Sequence, residues 1–208
     1  MIDTIEHFKK EKYSVVKNFI DNDTAFLLYN YIKTLAQAVD YKITYQNKYY
    51  NKHFDGYFED EQSPGDFSKY GDPFFDTLLN LTCEKMSKIT GINLVPTYSY
   101  HRLYTTDSEL ERHKDRESCE ISATLCLGYD SDYAWPIYLK KLDGTEIGYD
   151  LSPGSVLVYR GCEIEHWREP FKGKNHAQVF LHYNEKGGKY ENVYDGRPLL
   201  GINNRIWF

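Results

Sequence analysis

The chain has no apolar stretch long enough to suggest a membrane span. Its first residues, Met1-Ile2-Asp3-Thr4-Ile5-Glu6-His7, lack the apolar centre of a secretory signal. It has no basic block, and its net charge is −6, so nucleic acid is not an expected partner. Cysteine is scarce: Cys83, Cys119, Cys126 and Cys162 show no Cys-x-x-Cys spacing and read as free, buried thiols of a reducing compartment. The chain is therefore expected to be cytoplasmic. No repeat, low-complexity tract or Pro/Gly/Ser linker divides it, so one domain spanning 1–208 is expected, large enough to bury its own core. What is abundant is aromatic: 16% of residues, including 20 tyrosines. Tyrosine joins a large apolar face to a polar tip and suits sheet faces and pocket walls.

The first half, about 1–95, reads as a helical support. Tyr13-Ser14-Val15-Val16 is a short β-prone run. Asn22 or Asp23 can cap a helix with an apolar stripe of Leu28, Tyr31, Ile32, Leu35 and Val39. A loop-rich stretch, Tyr45 to Asp72, carries the turn signal Asp60-Glu61-Gln62-Ser63-Pro64-Gly65 and is expected to form a lid. Pro73 opens a second helix, with Phe75, Leu78, Leu79, Met86 and Ile89 on one face and Gly91 past its end. From Pro96 the period falls to two: Tyr98, Tyr100, Arg102 and Tyr104 alternate with Ser99, His101 and Leu103. Further strands are expected at 120–127, 135–139, 155–159, 164–167 and 178–183. This pattern makes an α+β fold: an antiparallel barrel or jelly roll over about 96–185 behind its helices, then a tail over 186–208.

Within that barrel, His113-Lys114-Asp115 and the later His166 stand out. Side chains two apart on an extended strand share a side, so His113 and Asp115 can face one ion while Lys114 points away. Two imidazoles and one carboxylate are the facial ligand set of non-haem Fe(II), which leaves coordination positions open. The triad is expected at a strand beginning and in a later strand, gathered in the barrel mouth.

In order and spacing, several pieces resemble the iron- and 2-oxoglutarate-dependent oxygenases, in particular their prolyl-hydroxylase-like branch. They are Tyr98-Ser99-Tyr100-His101-Arg102-Leu103-Tyr104, His113-Lys114-Asp115-Arg116, Ser122-Ala123-Thr124-Leu125, Ser152-Pro153-Gly154-Ser155 and Glu165-His166-Trp167-Arg168. The resemblance implies a distorted double-stranded β-helix, jelly-roll or cupin-like, buttressed by the N-terminal helices. It implies Fe(II) held by His113, Asp115 and His166, with 2-oxoglutarate and O2 as co-substrates. The implied reaction is hydroxylation of a prolyl, peptidyl or free amino-acid-like substrate with release of succinate and CO2. A non-catalytic cupin-like barrel holding a metal or ligand is the alternative. A zinc hydrolase fits less well, because no further carboxylate is placed as a general base.

The chain departs from the family in the strand after His166. Members commonly carry an Arg or Lys there for the far carboxylate of 2-oxoglutarate, but positions 174–178 read Lys174-Asn175-His176-Ala177-Gln178. Arg102, Arg168 and Lys174 compete for that role. Arg102 is favoured because it shares parity with Tyr104, the expected 2-oxoglutarate-contacting tyrosine, and Lys174 looks like an exposed turn. Gln178 and Thr124 are expected to assist. Arg116 is divided between substrate and a surface pair with Glu117 or Glu120, and Trp135 and Trp167 between pocket wall and core. His101 is expected outside the barrel, His176 inside it, and His182 as a satisfied structural histidine. The sequence does not distinguish a small-molecule from a peptidyl substrate, and it is silent on oligomeric state.

Overall fold

The computed structural model describes residues 4–202. The start of the expected signal-free N-terminus, 1–3, and the end of the expected tail, 203–208, lie outside the described residues. In chain order the elements are α1 (Thr4–Glu11), β1 (Tyr13–Val16), α2 (Asn22–Tyr45), α3 (Lys52–Asp55), β2 (Phe67–Tyr70), α4 (Pro73–Thr90) and β3 (Leu94–Thr105). There follow β4 (Leu110–His113), β5 (Ile121–Asp130), β6 (Ile137–Lys140), β7 (Glu146–Tyr149), β8 (Val156–Arg160), β9 (His166–Arg168) and β10 (Asn175–Glu185).

The two long helices begin and end for local reasons. Asp21, one position earlier than the expected Asn22 or Asp23, stays extended and accepts a hydrogen bond from the Thr24 N–H at 2.8 Å, so it caps α2. Asp72 does the same for α4 through the Phe74 N–H at 2.9 Å, with Pro73 in the first turn. Gly91 closes α4 in the left-handed region, φ 71°, where a Cβ would be strained. α1 was not expected; it is too short to show a period and buries a single residue, Phe8.

The strands form two antiparallel sheets. One has six strands in the order β1-β8-β5-β10-β3-β2, the other four in the order β4-β9-β6-β7. From β3 onward the chain passes repeatedly between the sheets, with β6 and β7 as the only consecutive pair in one sheet. The expected strands are present with longer or shifted ends, while β2 emerges from the stretch read as loop and β7 was not expected. β2 is legible only in its pairing: Phe67 to Tyr70 lie opposite Leu103 to Tyr100 of β3.

Alternation then divides the six-stranded sheet into two faces. Ile121, Ala123, Leu125 and Leu127 of β5 share a core with Val156 and Val158 of β8, Val179 and Leu181 of β10, and Leu28, Ile32, Phe75 and Leu79 of the helices. Each fully buried side chain of this kind contributes about 1.5–3 kcal/mol. The residues between them face the second sheet, where Cys126, Leu157 and Tyr159 meet Ile137, Leu139 and Ile164.

Residues 186–202 are packed against β3 and α4 instead of trailing as a tail. Arg197 is fully buried and donates to Asp76 Oδ2 at 2.8 Å and to the Thr97 carbonyl at 3.0 Å. Asp76 also accepts from the Ser99 N–H, the Ser99 hydroxyl and the Gly201 N–H, so this buried pair is well satisfied.

Candidate metal centre

His113 and His166 are cross-strand partners in the β4–β9 pair, which sets their rings 4.2 Å apart, centroid to centroid. His113 ends β4, whereas a strand beginning was expected, and Asp115 lies beyond the strand. Asp115 is brought back by its own N–H, which donates to the Gly161 carbonyl at 2.9 Å. The shared side of His-x-Asp is thus made by a loop tied to the end of β8, not by strand pleat.

Asp115 Oδ1 stands 3.6 Å from His113 Nε2 and 3.5 Å from His166 Nε2. Both rings use Nδ1 elsewhere: His113 Nδ1–H donates to the Glu111 carbonyl at 2.7 Å and His166 Nδ1–H to the Ile164 carbonyl at 3.1 Å. A carbonyl can only accept, so the protons are on Nδ1 and the two Nε2 lone pairs converge on a carboxylate. Two imidazole lone pairs and a carboxylate oxygen facing one point suit a cation, and Gln62 and the Tyr159 hydroxyl, which donate to the two Nε2 atoms, would give way to it. Ligating histidines typically show this backbone-anchored tautomer. The donor set and its mutual spacing, within 4.8 Å, fit one ion.

Electrostatics set the charge states of the three groups. Burial alone would raise the Asp115 pKa, but the hydrogen bonds from His113 and Ser122 help to outweigh it and hold the carboxylate ionised. Burial pulls His166 down and keeps it neutral. Burial also pulls on His113, yet Asp115 and the Glu111 carbonyl carry it upward. Ser122 donates to Asp115 Oδ2 at 2.6 Å and so leaves Oδ1 to the histidines. Gly161 is needed here: a Cβ would collide with the Cys119 carbonyl and Asp115 Oδ2 and come within 2.7 Å of Ser122 Oγ.

The triad opens onto a cavity of about 320 Å³. Its walls include Tyr98, Tyr100, Arg102, Arg116, Phe180 and His182. Tyr57, Asp60 and Gln62, from the stretch expected as a lid, line it too. Arg102, only 2% exposed, is already paired: it donates to Asp60 Oδ2 at 2.7 Å and to Ser68 Oγ at 3.1 Å, and its Nη1 reaches the Tyr104 hydroxyl at 3.3 Å. Gln62 links this cluster to the triad by donating to His113 Nε2 at 3.3 Å.

Arg168 differs. It is 2% exposed, donates to the Trp135 carbonyl and to Gln178 Oε1 at 2.8 Å, and leaves Nε without a partner. No carboxylate pairs with it among the described residues, and burial pulls its pKa down. Gln178 in turn donates to Thr124 Oγ1 and accepts from His176 Nε2, which joins these expected residues into one buried network. Lys174 is exposed and pairs with Asp130.

Other expectations change. Arg116 pairs with Asp195 in a bidentate contact, 2.8 and 3.1 Å, and not with Glu117 or Glu120; its guanidinium lies over Tyr98 and lines the cavity. Trp135 is core, packed on Tyr104 and Phe171. Trp167 is out of phase with His166 and lies between Arg112 and Tyr138, away from the cavity. His182 lines the cavity, beyond a purely structural place. His101 is packed outside, between Phe75 and Phe67, as expected. Asp60, Gln62, Ser122 and Tyr159 were missed. Ser122 carried a signal, since it lies between Ile121 and Ala123 in an apolar strand; Tyr159 donates to His166 Nε2 at 3.2 Å.

No protein-family model and no curated protein sequence matches this chain. Solved structures do. A Pseudomonas putida prolyl-4-hydroxylase is 16% identical, covering 88% of this chain and 98% of its own at a TM-score of 0.63. EctD from S. alaskensis with bound Fe is 13% identical over 97% and 83%, TM-score 0.67. HygX from Streptomyces hygroscopicus, with nickel and 2-oxoglutarate bound, is 11% identical over 89% and 87%, TM-score 0.63. At these identities the likeness shows the fold: this chain is built like the 2-oxoglutarate Fe(II) oxygenases.

Proposed function

We propose that this protein is an Fe(II)- and 2-oxoglutarate-dependent dioxygenase built as one domain on a double-stranded β-helix. The repeated passage of β3 to β10 between two antiparallel sheets supports that architecture. The observation that carries the function is the convergence of two Nε2 lone pairs and one carboxylate oxygen at the mouth of a cavity. His113, Asp115 and His166 would hold the iron. Bound iron with 2-oxoglutarate supplies O2 activation: substrate C–H, O2 and 2-oxoglutarate become C–OH, succinate and CO2.

The chain's own residues do the rest. Glu111 and Ile164 carbonyls orient the imidazoles, and Ser122 and Gly161 fix the carboxylate. Arg168 takes the far carboxylate of 2-oxoglutarate, helped by Gln178, Thr124 and Tyr104. An uncompensated buried guanidinium is costly, and the dianion supplies its missing partner. His166 and Arg168 share one side of β9 two residues apart, about 7 Å along a strand, comparable with an extended five-carbon diacid. This assignment replaces Arg102, whose charge Asp60 already meets.

Arg102 and Arg116 then belong to the substrate side of the cavity, with a small-molecule or peptidyl substrate and no nucleic acid. A cytoplasmic setting agrees with four free cysteines. The complete ligand set counts against a non-catalytic barrel. Succinate formation tests the proposal: release from 2-oxoglutarate should require Fe(II) and O2 and vanish in Asp115→Ala. Succinate made equally without Fe(II), or by Asp115→Ala, contradicts it.

A further inference from the structure

His182 is a cavity residue that the iron and 2-oxoglutarate roles leave unused. It stands on the inner face of β10, its ring against Tyr98 at 4.5 Å and parallel to Phe180 at 6.5 Å. Its Nδ1 lies 3.0 Å from Ser122 Oγ. The Ser122 hydroxyl has one hydrogen, and ionised Asp115 Oδ2 at 2.6 Å takes it ahead of the Cys119 carbonyl at 3.2 Å. Toward His182 the Ser122 oxygen can therefore only accept, so the proton between them sits on Nδ1. Burial disfavours the imidazolium and pushes the His182 pKa down to about 4. A neutral ring protonated at Nδ1 carries a lone pair on Nε2. That atom has no hydrogen-bond partner among the described residues, yet it is not one of the enclosed unpartnered atoms. The ring lines the cavity that holds the triad.

We infer that His182 Nε2 is a substrate-facing hydrogen-bond acceptor, its tautomer locked through Ser122 by the metal carboxylate, and that the substrate offers it an O–H or N–H donor. The inference rests on the proposed function and names the substrate class within it. The ring of a peptidyl proline has no N–H or O–H. The ammonium of a free amino or imino acid has one, as does the hydroxyl of a small alcohol. A site with an oriented, unpaired acceptor discriminates against a substrate that leaves it unmet. Asp115, Cys119 and His182 also cluster at metal-ligand distances. Cys119 is the weak member of that set: burial pushes its thiol pKa well up, and its Sγ contacts the Tyr98 hydroxyl at 2.9 Å.

Two measurements on the full chain decide it. Nitrogen–proton correlation spectra of the imidazoles should show His182 protonated at Nδ1 and bare at Nε2, with Ser122→Ala converting it to a tautomer mixture. A wild-type ring protonated at Nε2 overturns the inference, whatever becomes of the iron. In steady-state assays with Fe(II) and 2-oxoglutarate, free L-proline is compared with N-acetyl-L-proline methyl ester, which carries no N–H or O–H. Turnover should favour the free imino acid, and His182→Phe should raise its KM roughly tenfold with a smaller change in kcat, the scale of one hydrogen bond left unmade. His182→Gln, which keeps an acceptor, should recover most of the loss. Preference for the ester, with KM unmoved by His182→Phe, overturns the inference while leaving the dioxygenase in place. If no iron binds, the proposed function fails and the tautomer alone decides on His182.

Discussion

The two faces of the six-stranded sheet are made by the same strands and do opposite work. On the helix side, Leu125, Val158 and Val179 meet Leu28 and Leu79 in an apolar core. On the cavity side, their neighbours Ser122, Thr124, Tyr159, Gln178 and His182 are nearly as buried yet polar, and each is hydrogen-bonded. Burial is thus no guide to role here; the difference lies in what each buried atom is paired with. Arg102 and Arg168 repeat the lesson, the one on the cavity wall and matched by Asp60, the other buried with neutral partners.

The comparison can be broken in order of size. Arg168→Leu should weaken 2-oxoglutarate binding by about 100-fold, the scale of losing one partner of a buried charged contact. Arg102→Leu should cost stability because Asp60 loses its charge partner, and should weaken 2-oxoglutarate far less; calorimetric titration of both variants distinguishes them, and equal losses would return the clamp to Arg102. On the opposite face, Leu79→Ala should lower unfolding free energy by about 2–5 kcal/mol in denaturant titrations. Its folded fraction should bind Mn(II) as tightly as the wild type does, because no ligand moves. Gly161→Ala should do the reverse. Its new methyl presses on Asp115, so metal affinity falls by roughly 10–100-fold, as for other disturbances of the groups that orient ligands.

The smallest effect concerns pH. Burial among Phe67 and Phe75 pushes folded His101 down from 6.5 to about 3, with both ring nitrogens unpartnered. The unfolded chain takes up a proton near 6.5 that the fold refuses, so His101 contributes a loss of stability as pH falls from about 6.5 toward 3. His101→Phe should remove that contribution, worth at most about 1.4 kcal/mol per pH unit. Unfolding curves at pH 7 and pH 5 read it; an unchanged difference between them would mean that other groups carry the acid sensitivity.

The faces were legible in the sequence because strand period is a local property. Tyr98, Tyr100, Arg102 and Tyr104 share the cavity side as their spacing implies. The ligands His113, Asp115 and His166 were legible from type and order. What brings Asp115 to the histidines was not: the Gly161 carbonyl and the Ser122 hydroxyl are long-range partners that no local pattern encodes. Asp60 escaped for the same reason. It lies in a turn, where an acid ordinarily reads as solvated, and only the fold over β3 sets it on Arg102. The Arg116–Asp195 pair depends on residues 186–202 returning to the cavity rim, which their composition does not announce.

The most direct test mixes Fe(II) and 2-oxoglutarate with the protein without oxygen and records the visible spectrum. Wild type should show the weak charge-transfer band of an iron-bound keto acid, and His166→Ala should lose it. No band in the wild type, or a band untouched by His166→Ala, would contradict an iron site built from His113, Asp115 and His166.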